Sequence, residues 1–206
     1  MQDLLEDELN NLGLIPEQYP CDEYLIYIQL LEEWNQAYNL TAIKEPKQII
    51  TRHIINSLSV LPYIKGTYCL DVGTGAGLPG IVLALAQPDK KWVLLDNSQK
   101  KVRFLQHVKH QLCIDNIEII RSRIEEYVPT ISFDTVICRA FAPLKRLLQQ
   151  TGHLVTSSNQ LLAMKGEAVD DEIQELAEHN FQIKIFDLPS SDLGAKSKLV
   201  KIQKLN

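Results

Sequence analysis

Short apolar runs alternate with helical patterns from residue 67 onwards, and this alternation limits the possible folds more than any other feature. The runs typical of strands lie at residues 67–72, 91–97, 117–123, 133–140 and 159–166. The helical patterns lie at residues 79–86, 99–112, 142–150 and 169–179. Strands that alternate with helices form parallel βαβ units. The sequence therefore predicts an α/β fold built on a mostly parallel sheet.

Two more apolar runs, at residues 181–188 and 198–205, have no helical pattern between them. Pro189 and Gly194 lie in their connection, which is typical of a turn between antiparallel strands. We therefore expect seven strands in a Rossmann-like sheet, with an antiparallel terminal hairpin.

The beginning of the chain contains helical patterns without strand partners, at residues 3–12, 22–38 and 46–61. We expect an N-terminal helical extension at residues 1–62, packed on a single compact unit at residues 63–206.

Composition narrows the function classes. No apolar run approaches the roughly 20 residues of a membrane span, and the acidic N-terminus lacks the basic region of a signal peptide. The four cysteines are scattered, and His107 and His110 have helical spacing without a third ligand, so neither a disulfide framework nor a metal site is predicted. We expect a soluble, monomeric, cytoplasmic protein.

The net charge of −5 conceals an uneven distribution. Residues 1–43 contain nine acidic and no basic residues, whereas residues 44–165 contain nine acidic and 16 basic residues. A basic central region is consistent with a footprint for phosphate, but scattered solvated charge explains it equally well.

The stretch LDVGTGAGLPG, at residues 70–80, places four glycines after the first predicted strand, so that the backbone can approach a ligand closely. A triphosphate P-loop is excluded because no lysine follows these glycines before Lys90. A dinucleotide loop is a stronger alternative. Gly75, Gly77 and Gly80 match its spacing, and Asp96 lies 21 residues after Gly75.

The frame of the loop favours S-adenosylmethionine (SAM) over a dinucleotide. The apolar run ends at Leu70, so Asp71 stands at the strand tip and Gly73 opens the turn. An acid there repels a pyrophosphate but suits the ammonium group of SAM. Gly73 and Gly75 leave room for the methionine part, and Asp96 is placed to accept both ribose hydroxyls. Seven strands with a terminal hairpin favour the same cofactor.

Several longer segments follow one another along most of the chain: WNQAYNLTAI (34–43), RHIINSLSVLP (52–62), LDVGTGAGLPG (70–80), LLDNSQKKVRFL (94–105), RIEE (123–126), CRAFAPL (138–144) and AMKG (163–166). With these segments the chain resembles the small-subunit ribosomal RNA methyltransferase G family, also known as glucose-inhibited division protein B. The resemblance implies a class I SAM-dependent methyltransferase fold. It also implies methylation of the five-membered-ring nitrogen of one guanine in 16S rRNA, which gives 7-methylguanosine.

The resemblance further implies which residues contact SAM: Gly73 and Leu78 in the glycine loop, Ile124 and Glu125 after the third strand, and Arg139 after the fourth. These positions follow the carboxyl ends of predicted strands, where open α/β sheets bind ligands. The implied partner is 16S rRNA or the small ribosomal subunit.

Three positions depart from the usual pattern of that family. Asn56 stands where aspartate is usual, Cys138 where serine is common and Val82 where proline is common. A role that needs a carboxylate at position 56 is therefore open, as is a SAM-binding regulator without turnover. A SAM methyltransferase acting on a small molecule or a protein, and an NAD(P)-dependent oxidoreductase, are the remaining alternatives.

The expected reaction needs no general base, because the target nitrogen has a free lone pair and carries no proton. We therefore predict no catalytic residue and expect catalysis to come mainly from alignment of the nucleophile with the methyl group. Cys138 is close to the site in sequence, but a strand cysteine is more often inert core than a nucleophile.

Five residues near predicted loop or helix ends are candidates for contacts with RNA: Arg52, His53, Lys100, Arg123 and Lys165. A solvated helix face explains the cations equally well, and His53 is also consistent with a buried helix histidine. Phe141 is a candidate to stack on an extruded base, although a core role is more typical.

Overall fold

The computed structural model describes residues 1–167, 169–174, 176, 181–189 and 196–205. Its strands are β1 (Tyr68–Val72), β2 (Lys91–Asp96), β3 (Ile117–Arg121), β4 (Thr135–Arg139), β5 (Gln160–Gly166), β6 (Phe181–Leu188) and β7 (Ser197–Lys204). They form one sheet in the order β3-β2-β1-β4-β5-β7-β6.

The first five strands run parallel to one another, and β7 runs antiparallel to both β5 and β6. The predicted seven-stranded Rossmann-like sheet with a terminal hairpin is therefore confirmed. Gly194, expected in the hairpin connection, lies outside the described residues. The strand order reverses between β1 and β4, and ligands bind at the carboxyl ends of strands at such a switch point.

The helices lie on both faces of the sheet. They are α1 (Gln2–Asn11), α2 (Cys21–Tyr38), α3 (Pro46–Ile49), α4 (Asn56–Leu58), α5 (Gly80–Ala86), α6 (Gln99–Gln111), α7 (Leu144–Thr151) and α8 (Asp170–Gln174). A π-helical segment (Ile50–Ile55) joins α3 to α4, and 3-10 turns lie at Pro16–Gln18, Leu61–Tyr63, Ile124–Glu126 and Gly152–Leu154.

The helix predicted over residues 46–61 differs from the structure. The regular helix is interrupted by the π-helical segment and ends at Leu58. Pro62 lies in the following 3-10 turn, because proline lacks the N–H needed to continue an α-helix. The connection between β3 and β4 contains only a 3-10 turn, so the alternation of strands and helices is incomplete there.

The N-terminal helices share one apolar core with a face of the sheet. Leu5 and Leu9 of α1 and Tyr24 and Ile28 of α2 are fully buried, and they cluster with Met164 of β5. A second apolar cluster on the opposite face contains residues of α7 and β4. Among the described residues, no helix combines the length and the apolar character needed to cross a membrane.

Helix α2 also supports the glycine loop after β1. The Tyr27 hydroxyl donates to the Ala76 carbonyl oxygen over 2.8 Å, and the Tyr24 hydroxyl donates to the Val82 carbonyl oxygen over 3.3 Å. Burial raises the pKa of Tyr27, so the hydroxyl keeps its proton and remains a donor. The N-terminal region thus positions the loop that follows the first strand.

Candidate functional site

Asp71 holds the glycine loop from inside the protein. Its Oδ2 accepts a 2.6 Å hydrogen bond from the Thr74 hydroxyl and a 2.8 Å hydrogen bond from the Gly80 N–H. The side chain is fully buried, its Oδ1 has no partner among the described residues, and burial raises its pKa to about 6. The expectation that Asp71 faces a ligand ammonium group is therefore wrong, because neighbouring residues enclose the carboxylate completely.

The glycines of the loop differ in backbone conformation and in the space around them. Gly73 and Gly75 have φ values of +66° and +63°, in the left-handed region that favours glycine. A Cβ at Gly73 would collide with the ring of Phe141, whereas the nearest atoms to a Cβ at Gly75 lie 3.8 Å away. Gly77 and Gly80 are closely packed against neighbouring side chains. Space beside the loop is therefore available at Gly75.

A cavity of about 590 Å³ opens at the carboxyl ends of β1, β2 and β4. We call it the first cavity. It brings together five of the seven predicted cofactor residues that the sequence placed far apart: Gly73, Asp96, Ile124, Glu125 and Arg139. Of the other two, Gly75 donates its N–H to Asp96, and Leu78 is buried in the core.

The Asp96 carboxylate is fixed by three donors at the edge of the first cavity. Its Oδ2 accepts the Gly75 N–H over 3.0 Å and lies 3.4 Å from the Lys101 ammonium group. Its Oδ1 accepts the Ser98 N–H over 2.8 Å. A carboxylate has about four acceptor sites, so Oδ1 retains one for a ligand hydroxyl, while Oδ2 already has two donors. The arrangement suits a ligand hydroxyl held against the end of β2, and a neighbouring hydroxyl would take the place of the long Lys101 contact.

The remaining wall combines an apolar and a charged residue. Ile124 is buried, whereas Glu125 is exposed and accepts a hydrogen bond from Gln150. Hydrogen bonds from its own backbone N–H and from Gln150 lower the pKa of Glu125, so this carboxylate is charged near neutral pH. Lys101, Phe141, Arg146 and Gln150 also line the cavity, and no sequence motif singles out the last two.

Arg139 is held at the opposite wall by one guanidinium nitrogen. Its Nη1 donates to the Arg52 carbonyl oxygen over 3.2 Å and lies 3.2 Å from the Nδ1 of His53, which is itself 3.1 Å from that carbonyl oxygen. The Nη1 group has two protons, and the Arg52 carbonyl oxygen accepts one of them. Among the described residues, Nε and Nη2 of Arg139 have no partner. These donors are available to an anionic group in the cavity.

His53 is neutral. Only 6% of it is exposed, and burial together with the Arg139 charge lowers its pKa to about 3. Nδ1 faces both the Arg52 carbonyl oxygen, which only accepts, and Nη1 of Arg139, which only donates, while Nε2 lies 2.9 Å from the Thr41 hydroxyl, which both donates and accepts, so these contacts are compatible with either neutral tautomer. His53 thus links the loop at Thr41 to Arg139.

A second cavity of about 420 Å³ shares Arg139 and Ala140 with the lining of the first. Ala140 has φ +47°, a strained value for a residue other than glycine. Apolar lining comes from Ala42, Ile43, Ala140 and Met164, and polar lining includes Thr41, Arg52, His53, Asn56, Lys165 and Ser197. The two cavities therefore meet at the end of β4.

The comparisons with known proteins identify the family. A family model for rRNA small subunit methyltransferase G matches residues 21–200. The chain belongs to the rRNA small subunit methyltransferase G family. It is 43% identical to Ribosomal RNA small subunit methyltransferase G of Nitrosococcus oceani over 98% of this chain and 94% of the relative. It is 42% identical to the protein of the same name from Shewanella frigidimarina, over 97% of each chain.

Solved structures support the fold. Precorrin-6y C5,15-methyltransferase from Geobacter metallireducens superposes with a TM-score of 0.57 over 82% of this chain and 92% of its own, at 11% identity. This likeness concerns the fold alone. The predicted class I methyltransferase fold is therefore confirmed, and membership of the methyltransferase G family argues against an NAD(P)-dependent oxidoreductase.

The five candidate RNA residues of this methyltransferase G family member are in different surroundings. Arg52, His53 and Lys165 line the second cavity, and Arg123 lines the first. Lys100 lines neither cavity and donates to the Tyr38 carbonyl oxygen over 2.6 Å. Contacts of all five with RNA stay predictions.

Lys165 is already paired within the protein. Its ammonium group donates to the Ala142 carbonyl oxygen over 2.5 Å and lies 2.8 Å from Oε2 of Glu172. The same Oε2 accepts the Leu144 N–H over 2.6 Å. Only 11% of the Lys165 side chain is exposed. The Lys165–Glu172 pair therefore fastens the start of α7 and the preceding loop to the end of β5.

The unusual residues of the sequence also have defined surroundings. Asn56 donates through Nδ2 to the Ser197 hydroxyl over 2.7 Å, which ties α4 to β7 beside the second cavity. Cys138 is buried, and burial raises its pKa to about 12, which disfavours the reactive thiolate. Within the described residues, no group of three or more His, Cys, Asp or Glu side chains could hold a metal ion.

Proposed function

We propose that this chain transfers the methyl group of SAM to the five-membered-ring nitrogen of one guanine in 16S rRNA, giving 7-methylguanosine. The observation that carries the proposal is the first cavity, where Asp96 and the unpaired donors of Arg139 line one cleft at the carboxyl edge of a methyltransferase sheet. The names of the relatives supply the rRNA substrate class.

The residues of the first cavity fit SAM. The volume of about 590 Å³ lies within the range of small-molecule sites, roughly 300–1,000 Å³. The Asp96 carboxylate accepts the ribose hydroxyls, Ile124 offers an apolar contact to the adenine, and Glu125 accepts from its amino group. Arg139 and the backbone at Gly73 hold the methionine carboxylate. Gly75 and Leu78 contribute through the shape of the loop.

The chemistry needs alignment rather than a base. SAM would supply a methyl group on a sulfonium, which the lone pair of the ring nitrogen would take over while the carbon–sulfur electron pair stays on the sulfur of S-adenosylhomocysteine. The methylated base would gain the positive charge, because its nitrogen has no proton to lose. The contribution of the protein is to place the nitrogen in line with the methyl group, about 3–3.5 Å away.

Basic residues around both cavities support a nucleic-acid partner. Lys101, Arg123 and Arg146 line the first cavity, and Arg52 and Lys196 line the second. Phosphate contacts of this type supply affinity and register, whereas the cavity recognises the base. The chain acts as a cytoplasmic monomer on 16S rRNA or on the small subunit, and residues 1–62 and 63–206 fold together.

Methyl transfer from labelled SAM tests this function. Small subunits and 16S rRNA that lack the modification are incubated with the protein, and the RNA is digested to nucleosides. We expect label in 7-methylguanosine. Label in a different nucleoside would overturn the guanine assignment, and SAM binding without transfer to either RNA substrate would overturn the rRNA assignment.

A further inference from the structure

We propose that the second cavity is the slot that receives the guanine after it leaves the RNA helix, and that the Gly166 end of β5 forms one wall of this slot. The proposal rests on the proposed function and assigns the acceptor site to particular residues. The position of the cavity and its lining carry the proposal, and the surroundings of His53 agree with it.

The position of the second cavity fits the acceptor. Direct transfer of a methyl group from sulfur to nitrogen requires the acceptor nitrogen to lie about 3–3.5 Å from the methyl carbon. The acceptor ring must therefore contact the cofactor. Arg139 and Ala140 line both cavities, so a ring in the second cavity lies beside a ligand in the first. Enzymes that modify a base inside structured RNA bring it into such a pocket.

The lining of the second cavity suits a flat ring with polar edges. Ile43 and Met164 offer apolar surfaces, while Thr41, Asn56 and Ser197 offer groups that donate or accept hydrogen bonds. The cations Arg52 and Lys196 are exposed at this cavity, where they can hold the phosphates that flank an extruded nucleotide.

The neutral state of His53 fits a product that becomes positively charged. The methylated base gains a positive charge because its nitrogen loses no proton. A protonated histidine beside it would oppose that charge, and Arg139 already supplies one cation. Burial keeps His53 neutral, and its contacts with Thr41 and Arg139 use both ring nitrogens for support of the wall. His53 is thus a positioning residue of the slot.

Gly166 gives a direct way to fill the second cavity. It lies two residues after Met164 on β5, so a side chain at either position leaves the same face of the sheet. A Cβ at Gly166 would meet nothing within 4 Å. Tryptophan at this position therefore projects into the proposed slot without displacing the core, whereas alanine leaves most of the slot open.

The test compares Gly166→Trp with Gly166→Ala and with Gly152→Trp. A Cβ at Gly152 also meets nothing within 4 Å, and this glycine lines neither cavity. Ala42→Trp fills the slot from a different segment and guards against a folding defect in a single variant. For each protein we measure thermal unfolding, SAM affinity by calorimetry, RNA affinity by filter binding, and kcat and KM for RNA.

We expect Gly166→Trp and Ala42→Trp to lower kcat by about 100-fold, the effect of misplacing a reacting atom, with SAM affinity unchanged. Gly152→Trp keeps the rate of the unchanged protein, whereas Gly166→Ala, which adds only a methyl group to the wall of the slot, lowers kcat much less than Gly166→Trp. A rise in KM with kcat unchanged would mean that the cavity holds phosphate rather than the base, and full activity in Gly166→Trp would also overturn the slot. Absence of transfer by the unchanged protein would instead overturn the proposed function.

Discussion

At the scale of single residues, Arg139 and Asp71 show how a charged side chain can face a ligand or be enclosed by its own loop. Arg139 uses Nη1 on Arg52 and His53 and keeps other donors free at the first cavity. Asp71 directs its hydrogen bonds inward and stays buried. Substitution of Arg139 should therefore affect ligand binding, whereas substitution of Asp71 should affect stability.

Replacing Arg139 by alanine should mainly weaken SAM binding. A hydrogen bond to a charged group contributes roughly 1.5–3 kcal/mol, so we expect the SAM dissociation constant to rise about 10- to 100-fold. Calorimetry measures SAM affinity, and filter binding measures RNA affinity, which should change little. Arg139→Lys should rescue poorly, because an ammonium group lacks the planar fork of a guanidinium. Unchanged SAM affinity with weakened RNA binding would contradict this assignment.

Asp71 should make stability depend on pH. Its pKa is about 6 in the folded chain and 3.8 as a reference, so the folded state binds more protons between these values. Ionisation of Asp71 therefore lowers the free energy of unfolding at neutral pH. The free energy of unfolding should rise as the pH falls from about 7 towards 4 and the carboxylate becomes protonated. At 1.36 kcal/mol per unit of pKa the effect is roughly 2–3 kcal/mol.

Asp71→Asn can place its amide oxygen where Oδ2 accepts from the Gly80 N–H and the Thr74 hydroxyl, but it cannot ionise. We expect urea unfolding of this variant at pH 5 and pH 7 to differ less than it does for the unchanged chain. Asp89→Asn, at an exposed position, is the matched control. An identical pH dependence in Asp71→Asn and the unchanged chain would show that Asp71 does not carry the effect.

At the scale of elements, the pair Lys165–Glu172 connects β5, α8 and the start of α7. The loop that it fastens, residues 140–143, lines the first cavity. Lys165→Ala and Glu172→Ala should both lower SAM affinity. Each should also lower the free energy of unfolding by about 1–3 kcal/mol, because it leaves a partner without its hydrogen bond. Calorimetry and urea unfolding measure the two effects.

A double-mutant cycle separates this role from a direct contact of Lys165 with RNA. If the pair positions the loop, the two single substitutions have similar effects and the double substitution adds little. If Lys165 contacts RNA, Lys165→Ala raises the KM for RNA, while Glu172→Ala frees the lysine and leaves that KM unchanged or lower. SAM affinity is then intact in both variants.

At the scale of the whole molecule, the N-terminal helices and the sheet share one core. We therefore expect residues 63–206 alone to lack cooperative unfolding, because removal of α1 and α2 exposes the buried face that contains Met164. Trp34 lies in α2 and Trp92 in β2, so Trp34→Phe and Trp92→Phe leave one fluorescent reporter in each region. Coincident urea midpoints are expected, and separate midpoints would indicate two folding units.

The sequence by itself determined the seven strands, the terminal hairpin and the glycine loop, because strand and helix periods and turn residues are local signals. It also placed Asp96 and Arg139 at strand ends, and parallel strands bring such ends to one edge. Only the tertiary structure decided that Asp71 is enclosed, that His53 meets Arg139 and that Lys165 meets Glu172. These contacts join segments that are far apart in the chain and form only when the segments pack together. The periodicity and residue spacing of the sequence therefore do not reveal them.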